Sequence, residues 1–179
     1  MTTSTNGTAV AAFNALPAAE ATRQLLTCLA VPRWAQEVAD GRPYADMAAL
    51  TAAAEAAAAE LSDGELTAAL ARHPRIGERA ASGHDAAFSA REQVGVDPGD
   101  EIGARIAAGN VEYEQRYGRV FLIRAAGRSA PEILAELSRR LGNDQPVERA
   151  ETVSQLREIA VRRLGDVVGE LVNEKGLRP

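Results

Sequence analysis

A chain of 179 residues holds one ordinary domain, and at roughly 70% burial of its unfolded surface it can build a hydrophobic core without staples. The formal net charge of -5 argues against nucleic-acid binding, because counterion release needs a concentrated basic face and short pairs such as Arg139-Arg140 do not make one. A single cysteine, Cys28, excludes an intramolecular disulfide and a thiolate zinc cluster, and fits a reducing, cytoplasmic compartment.

The first twelve residues carry neither the basic flank nor the continuous apolar stretch of a signal peptide. Residues 1–10 are expected to be mobile and residues 11–179 to form one helical domain. Alanine, leucine, glutamate and arginine dominate, β-branched runs are scarce and aromatic content is 4%, which predicts an all-α fold. Prolines 17, 32, 43, 74, 98, 131 and 146 punctuate the chain at helical intervals. The predicted helices are 18–30, 32–40, 46–60, 63–71, 85–94, 99–116, 130–141 and 147–172. None spans a membrane: the window Met47 to Leu61 is mostly alanine and is broken by Glu55 and Glu60. Ser129-Ala130-Pro131-Glu132 is a capping box, and Leu141-Gly142-Asn143 supplies the stop of the helix it opens. Val120 to Ile123, between Gly118 and Gly127, reads as an extended link rather than a strand of a sheet. The long last helix carries an apolar stripe of Ala150, Val153, Leu156, Ile159, Ala160, Leu164, Val167, Val168 and Leu171.

The chain holds two histidines. His73 opens His73-Pro74-Arg75-Ile76-Gly77 directly after a helix, where the proline forces it out of helical geometry and presents the imidazole from a stiff loop. A helix-end histidine meeting the dipole is the structural alternative. In the next predicted helix Ser89, Glu92 and Gln93 share one face, as a ligand-fixing set or as a solvated surface. His84 reads as a surface-turn residue. No HExxH places these groups around a metal, and Ser89 lies in no G-x-S-x-G elbow. The only lysine, Lys175, leaves no central amine for a Schiff base and no phosphate-cradling GK[ST] loop. Arg163 interrupts the apolar edge of Ile159, Ala160 and Val167, so it pairs with a carboxylate or acts as a fork for an anionic substrate.

These residues assemble into a family pattern. Phe13-Asn14-Ala15-Leu16, Trp34, Arg42-Pro43-Tyr44, His73-Pro74-Arg75-Ile76-Gly77, Ser89-x-x-Glu92-Gln93, Asn110-x-x-Tyr113-x-x-x-Tyr117-Gly118-x-x-Phe121 and Ile159-Ala160-x-x-Arg163-Leu164 follow in this order. The chain thereby resembles the 2-oxo-4-hydroxy-4-carboxy-5-ureidoimidazoline (OHCU) decarboxylases, which complete urate breakdown to S-allantoin. It departs from them at Tyr117, usually phenylalanine, and at Arg124, frequently cysteine. The resemblance implies an all-α, cofactor-free decarboxylase, commonly a homodimer, acting on a small anionic substrate; no metal is expected, since the substrate carries its own electron sink. It further implies that His73 and Glu92 are catalytic. Pro74, Ser89, Gln93 and Arg163 are expected to line the site, with the backbone at Phe121, Ile123 and Ala125 contacting ring and ureido group. Another cofactor-free ureide or purine enzyme, such as a hydrolase, and a noncatalytic helical binding module are the rival readings.

Overall fold

Four short polar residues set where helices begin. Asp46 accepts the Ala49 N–H at 2.8 Å, and Asp144 accepts the Val147 N–H at 3.0 Å. Ser62 accepts the Glu65 N–H at 3.3 Å while the Glu65 carboxylate takes the Ser62 N–H at 2.8 Å, and Glu132 reaches back to the Ser129 N–H at 2.7 Å. Each such cap satisfies a terminal amide that no helical carbonyl can reach and contributes about 1 kcal/mol.

In the computed structural model, which describes residues 3–76 and 101–174, the helices are α1 (Thr3–Asn14), α2 (Ala18–Cys28), α3 (Pro32–Asp40), α4 (Met47–Ala59), α5 (Asp63–Leu70), α6 (Glu101–Tyr117), α7 (Ala130–Arg140) and α8 (Gln145–Glu174). The fold is all-α, and no strand occurs among the described residues. No helix there is long and apolar enough to cross a membrane. The sequence pattern predicts no helix before residue 18, and the structure adds α1. Glycine and β-branched threonine depress local propensity there, yet Ala9, Val10, Ala12 and Phe13 bury one side of α1, and that packing forms the helix. The predicted helix 85–94 lies outside the described residues.

The described residues fall into two compact units, those of Met1–Glu65 with Arg157–Pro179 and those of Leu66–Leu156. In the first, the N-terminal signature residues are staples. Trp34 is fully buried and donates to the Ala54 carbonyl at 2.9 Å. Asn14 exchanges two hydrogen bonds with the Tyr44 backbone, at 2.8 and 3.0 Å. Arg42 donates to the carbonyls of Phe13, Leu16 and Ala39 at 3.1, 2.7 and 2.9 Å, just before a cis Arg42–Pro43 bond. Cys28 is buried, and burial pushes its thiol up to about 12, so it stays protonated.

The second unit is built on Ile76, Ile106, Tyr113, Tyr117, Phe121, Ile123, Ala125, Ala130, Ile133 and Leu137. Gly109 lets α6 and α7 close on each other, since a Cβ there would stand 2.6 Å from a Leu137 methyl. Gly118 ends α6 with φ of +67°. One expected core position is reversed: Ala150 is exposed, and the buried stripe of α8 begins instead with Glu148 and Thr152. Their polarity is satisfied by Arg140, itself fully buried. Its guanidinium pairs with Glu148, donates to the Leu122 carbonyl at 2.7 Å and lies 4.9 Å above the Phe121 ring.

Removing one member of a buried ion pair leaves the other charge without compensation, at a cost of about 3–5 kcal/mol. Glu148→Gln should therefore lower the chemical-denaturation stability by that amount, whereas Glu136→Gln, at the more exposed Arg139–Glu136 pair, should cost under about 1 kcal/mol. Equal losses in the two variants would remove the Arg140 pair from its place in the fold.

The Arg33 guanidinium at 2.8 Å, then the Ser62 N–H, hold the Glu65 carboxyl at about 2, below its ordinary 4.5. The folded state lowers this pKa, so its stabilisation is complete above the ordinary value and lost as pH falls towards the lowered one. The melting-temperature gap between the native chain and Glu65→Gln should be widest above about pH 5 and close on acidification; a gap that is constant with pH would contradict it.

Candidate functional site

His73 stands where α5 unwinds. The last turns tighten through the N–H groups of Ala71, Arg72 and His73, which bond to the carbonyls of Thr67, Ala69 and Leu70 at 3.0, 3.3 and 2.9 Å. The half-buried imidazole places Nδ1 3.0 Å from the Ala69 carbonyl. A carbonyl can only accept, so Nδ1 carries the proton in this contact, and whenever the ring is neutral the lone pair is on Nε2. The helix-end contact foreseen as the structural alternative is thus present, and it fixes the tautomer and the ring plane.

The loop after His73 is clamped to α6 from two positions one turn apart. Arg75 makes a two-point pair with Glu114 at 2.5 and 2.6 Å. The Arg75 guanidinium holds the Glu114 carboxyl below its usual range. Buried Asn110 donates to the Ile76 carbonyl at 3.1 Å, and the Ile76 side chain sits in the core of the unit. The Asn110-x-x-x-Glu114 spacing therefore brings both clamps to one side of α6.

The segment from Val120 to Ala125 belongs to no helix or strand, as expected. Phe121, Ile123 and Ala125 share the core cluster that contains Ile76. Arg140 holds the Leu122 carbonyl, and Gln155 accepts the Arg124 N–H at 2.9 Å. Among the described residues, no hydrogen bond uses the peptide groups of Phe121 or Ile123.

His73, Pro74 and the backbone of Phe121, Ile123 and Ala125 all lie in the second unit, on elements packed around one core. Ser89, Glu92, Gln93 and His84 lie outside the described residues. Arg163 belongs to the first unit, where it is 3% exposed on α8 while Arg162 is exposed, the contrast that the stripe predicts. Its charge draws the Cys28 thiol down against the larger effect of burial. Among the described residues, no group of three His, Cys, Asp or Glu side chains could hold a metal ion.

Sequence reasoning gave no supporting role to Asn110, Glu114, Arg140, Glu148 or Gln155. Two of them had a signal. Asn110 stands in step with Ile106, Tyr113 and Tyr117, and Arg140 in step with Ala130, Ile133 and Leu137, so each is a polar residue at a core-facing position.

A model of the OHCU decarboxylase family matches residues 14–165. A 2-oxo-4-hydroxy-4-carboxy-5-ureidoimidazoline decarboxylase of Amia calva is 36% identical over 73 residues, a match that spans 41% of this chain and 41% of that protein's length. Two solved structures share the fold at 19% identity. An OHCU decarboxylase crystallised in the presence of (S)-allantoin superposes with a TM-score of 0.67 over 80% of this chain and 95% of that one. An (S)-allantoin synthase does so with a TM-score of 0.62 over 87% of this chain and 53% of that one. With the family pattern running through nearly the whole sequence, the chain belongs to the OHCU decarboxylase family.

Proposed function

We propose that the chain decarboxylates 2-oxo-4-hydroxy-4-carboxy-5-ureidoimidazoline to (S)-allantoin without a cofactor. Family membership supports the substrate class, and the observation that carries the chemistry is the His73 ring, held as a Nδ1–H tautomer on a loop clamped to α6. The neighbour crystallised with (S)-allantoin fits the same reading.

The substrate carries its own electron sink, which removes the need for an external one. As the bond to the carboxylate breaks and carbon dioxide leaves, its electron pair flows into the adjacent ring C=N, and the ring nitrogen takes a proton. The resulting enol loses its hydroxyl proton to become the carbonyl, while the carbon bearing the ureido group gains one. The protein's tasks are orientation and these three proton movements. In this reading His73 handles the 4-hydroxyl proton through Nε2, and Glu92 orients the substrate or supplies the complementary relay. Arg163 receives the carboxylate with its planar fork, and Pro74, Ser89 and Gln93 line the site. The peptide groups of Phe121, Ile123 and Ala125 meet the ring and ureido group; the N–H and C=O of Ile123 match the C=O and N–H of a ureide. A homodimer in the cytoplasm completes the reading.

The deciding assay generates the unstable substrate from urate with urate oxidase and hydroxyisourate hydrolase and follows the product by circular dichroism. The chain should speed the appearance of optically active allantoin over its spontaneous, racemic formation; His73→Asn should be slower by about 10²–10⁴-fold, the scale of a positioned acid or base, with melting unchanged. His84→Ala should stay within about twofold of the native rate on that scale. Racemic product with the native chain, or equal damage from the two histidine variants, would defeat the assignment.

Anion binding is tested separately. Arg163→Lys retains charge but loses the two-point fork, so kcat/KM should drop by the equivalent of about 1.5–3 kcal/mol, a charge-assisted hydrogen bond. Arg162→Lys, on the exposed side of α8, should be silent. The reverse pattern, at equal melting temperatures, would move the anion site.

A further inference from the structure

The link between Gly118 and Gly127 has a two-residue rhythm. Phe121, Ile123 and Ala125 join one core cluster, of which Leu122 and Arg124 are not members. In extended backbone the N–H and C=O of one residue point to one edge and those of the next residue to the other. From residue 121 to residue 124, hydrogen bonds among the described residues reach one of these edges. On it, the Leu122 C=O accepts from Arg140 at 2.7 Å and the Arg124 N–H donates to Gln155 Oε1 at 2.9 Å. Two anchors on alternate residues fix the rotation of the segment about its own axis, and so direct the peptide groups of Phe121 and Ile123 to the opposite edge. That edge closes at Ala125, whose carbonyl accepts the Arg128 N–H at 3.0 Å.

We propose that Gln155 is a positioning residue, which with Arg140 turns the Phe121 and Ile123 peptide groups towards the ureido group of the substrate. The inference rests on the decarboxylase reading. Gln155 is the informative member of the pair. Arg140 also carries the buried contacts to Glu148 and Thr152, so its loss disturbs the fold, whereas half-buried Gln155 offers one neutral acceptor to one amide. The terminal C=O and NH2 of the ureido group form and break no bond in the reaction. A misplaced backbone edge therefore weakens ground state and transition state alike, which raises KM and leaves kcat.

The experiment compares the native chain with Gln155→Met, of similar length without the acceptor, and Gln155→Glu, which keeps an acceptor oxygen. Steady-state kinetics, thermal melting and calorimetric binding of (S)-allantoin, a neutral ureide, are measured on each. Gln155→Met should raise KM and the allantoin Kd on the order of tenfold, about one hydrogen bond, with kcat within about twofold and melting unchanged. Gln155→Glu should restore most of the allantoin affinity. Unchanged KM and Kd in Gln155→Met, a kcat loss that tracks a lowered melting temperature, or a Gln155→Glu variant as impaired in allantoin binding as Gln155→Met would overturn the role while leaving the decarboxylase reading intact. A native chain that neither turns over substrate nor binds allantoin would overturn both.

Discussion

A guanidinium without access to water must place its donors inside the protein, and Arg140 is in that position. Its partners come from every element around it: Glu148 and Thr152 on α8, the Leu122 carbonyl in the link, and the Tyr113 hydroxyl on α6. Burial, then the hydrogen bond to Glu148, pushes the Tyr113 phenol up, so it remains protonated and acts as a donor to that carboxylate. The Tyr117 hydroxyl closes the arrangement by donating towards the carbonyls of Arg140 and Asn143, at 2.8 and 2.9 Å. A buried pair of this kind adds little net stability over a well-packed apolar cluster, but it tolerates no shift of its members. The end of α7, the start of α8 and the course of the link are thereby fixed together.

That fixity suits the proposed cofactor-free decarboxylation. In that reading the electron sink lies inside the substrate, and the protein's share includes geometry: a lone pair at the hydroxyl, a fork at the carboxylate, a donor and acceptor at the ureido group. Loops are poor places for such accuracy unless they are tied down. The two described irregular segments that carry candidate site residues are each tied at adjacent or alternate residues. Arg75 and Ile76 are held by Glu114 and Asn110, and Leu122 and Arg124 by Arg140 and Gln155. Ile76, Phe121, Ile123 and Ala125 then meet in one core, so both segments inherit the rigidity of the same packed interior.

The sequence is legible where a residue conflicts with its local setting. Pro74 takes the preceding His73 out of the helix, and Arg163 within an apolar stripe announces burial; both readings agree with the structure. The same rule applied to Asn110, Arg140 and Glu148 would have found the network, but their partners are distant in sequence: Glu148 lies eight residues beyond Arg140, across a helix stop. Periodicity gives a face and not a partner. The error at Ala150 follows from this. Hydropathy favours alanine over glutamate for burial, and only the arginine of the preceding helix reverses the order. Helix α1 was hidden for a related reason, since its existence depends on the packing of Val10 and Phe13 rather than on propensity.

The family signature, seen in three dimensions, is mostly scaffold. Asn14, Trp34, Arg42 and Tyr44 bond to backbone within the first unit, and Asn110, Tyr113 and Tyr117 bond to loop and cap groups within the second. These side chains share one property: each satisfies a polar group that would otherwise be buried or leave a chain segment loose. The proposed reaction depends on orientation as much as on proton transfer, so its requirements extend to every residue that holds the orienting groups in place, which fits a pattern that runs from Phe13 to Leu164 instead of clustering at His73.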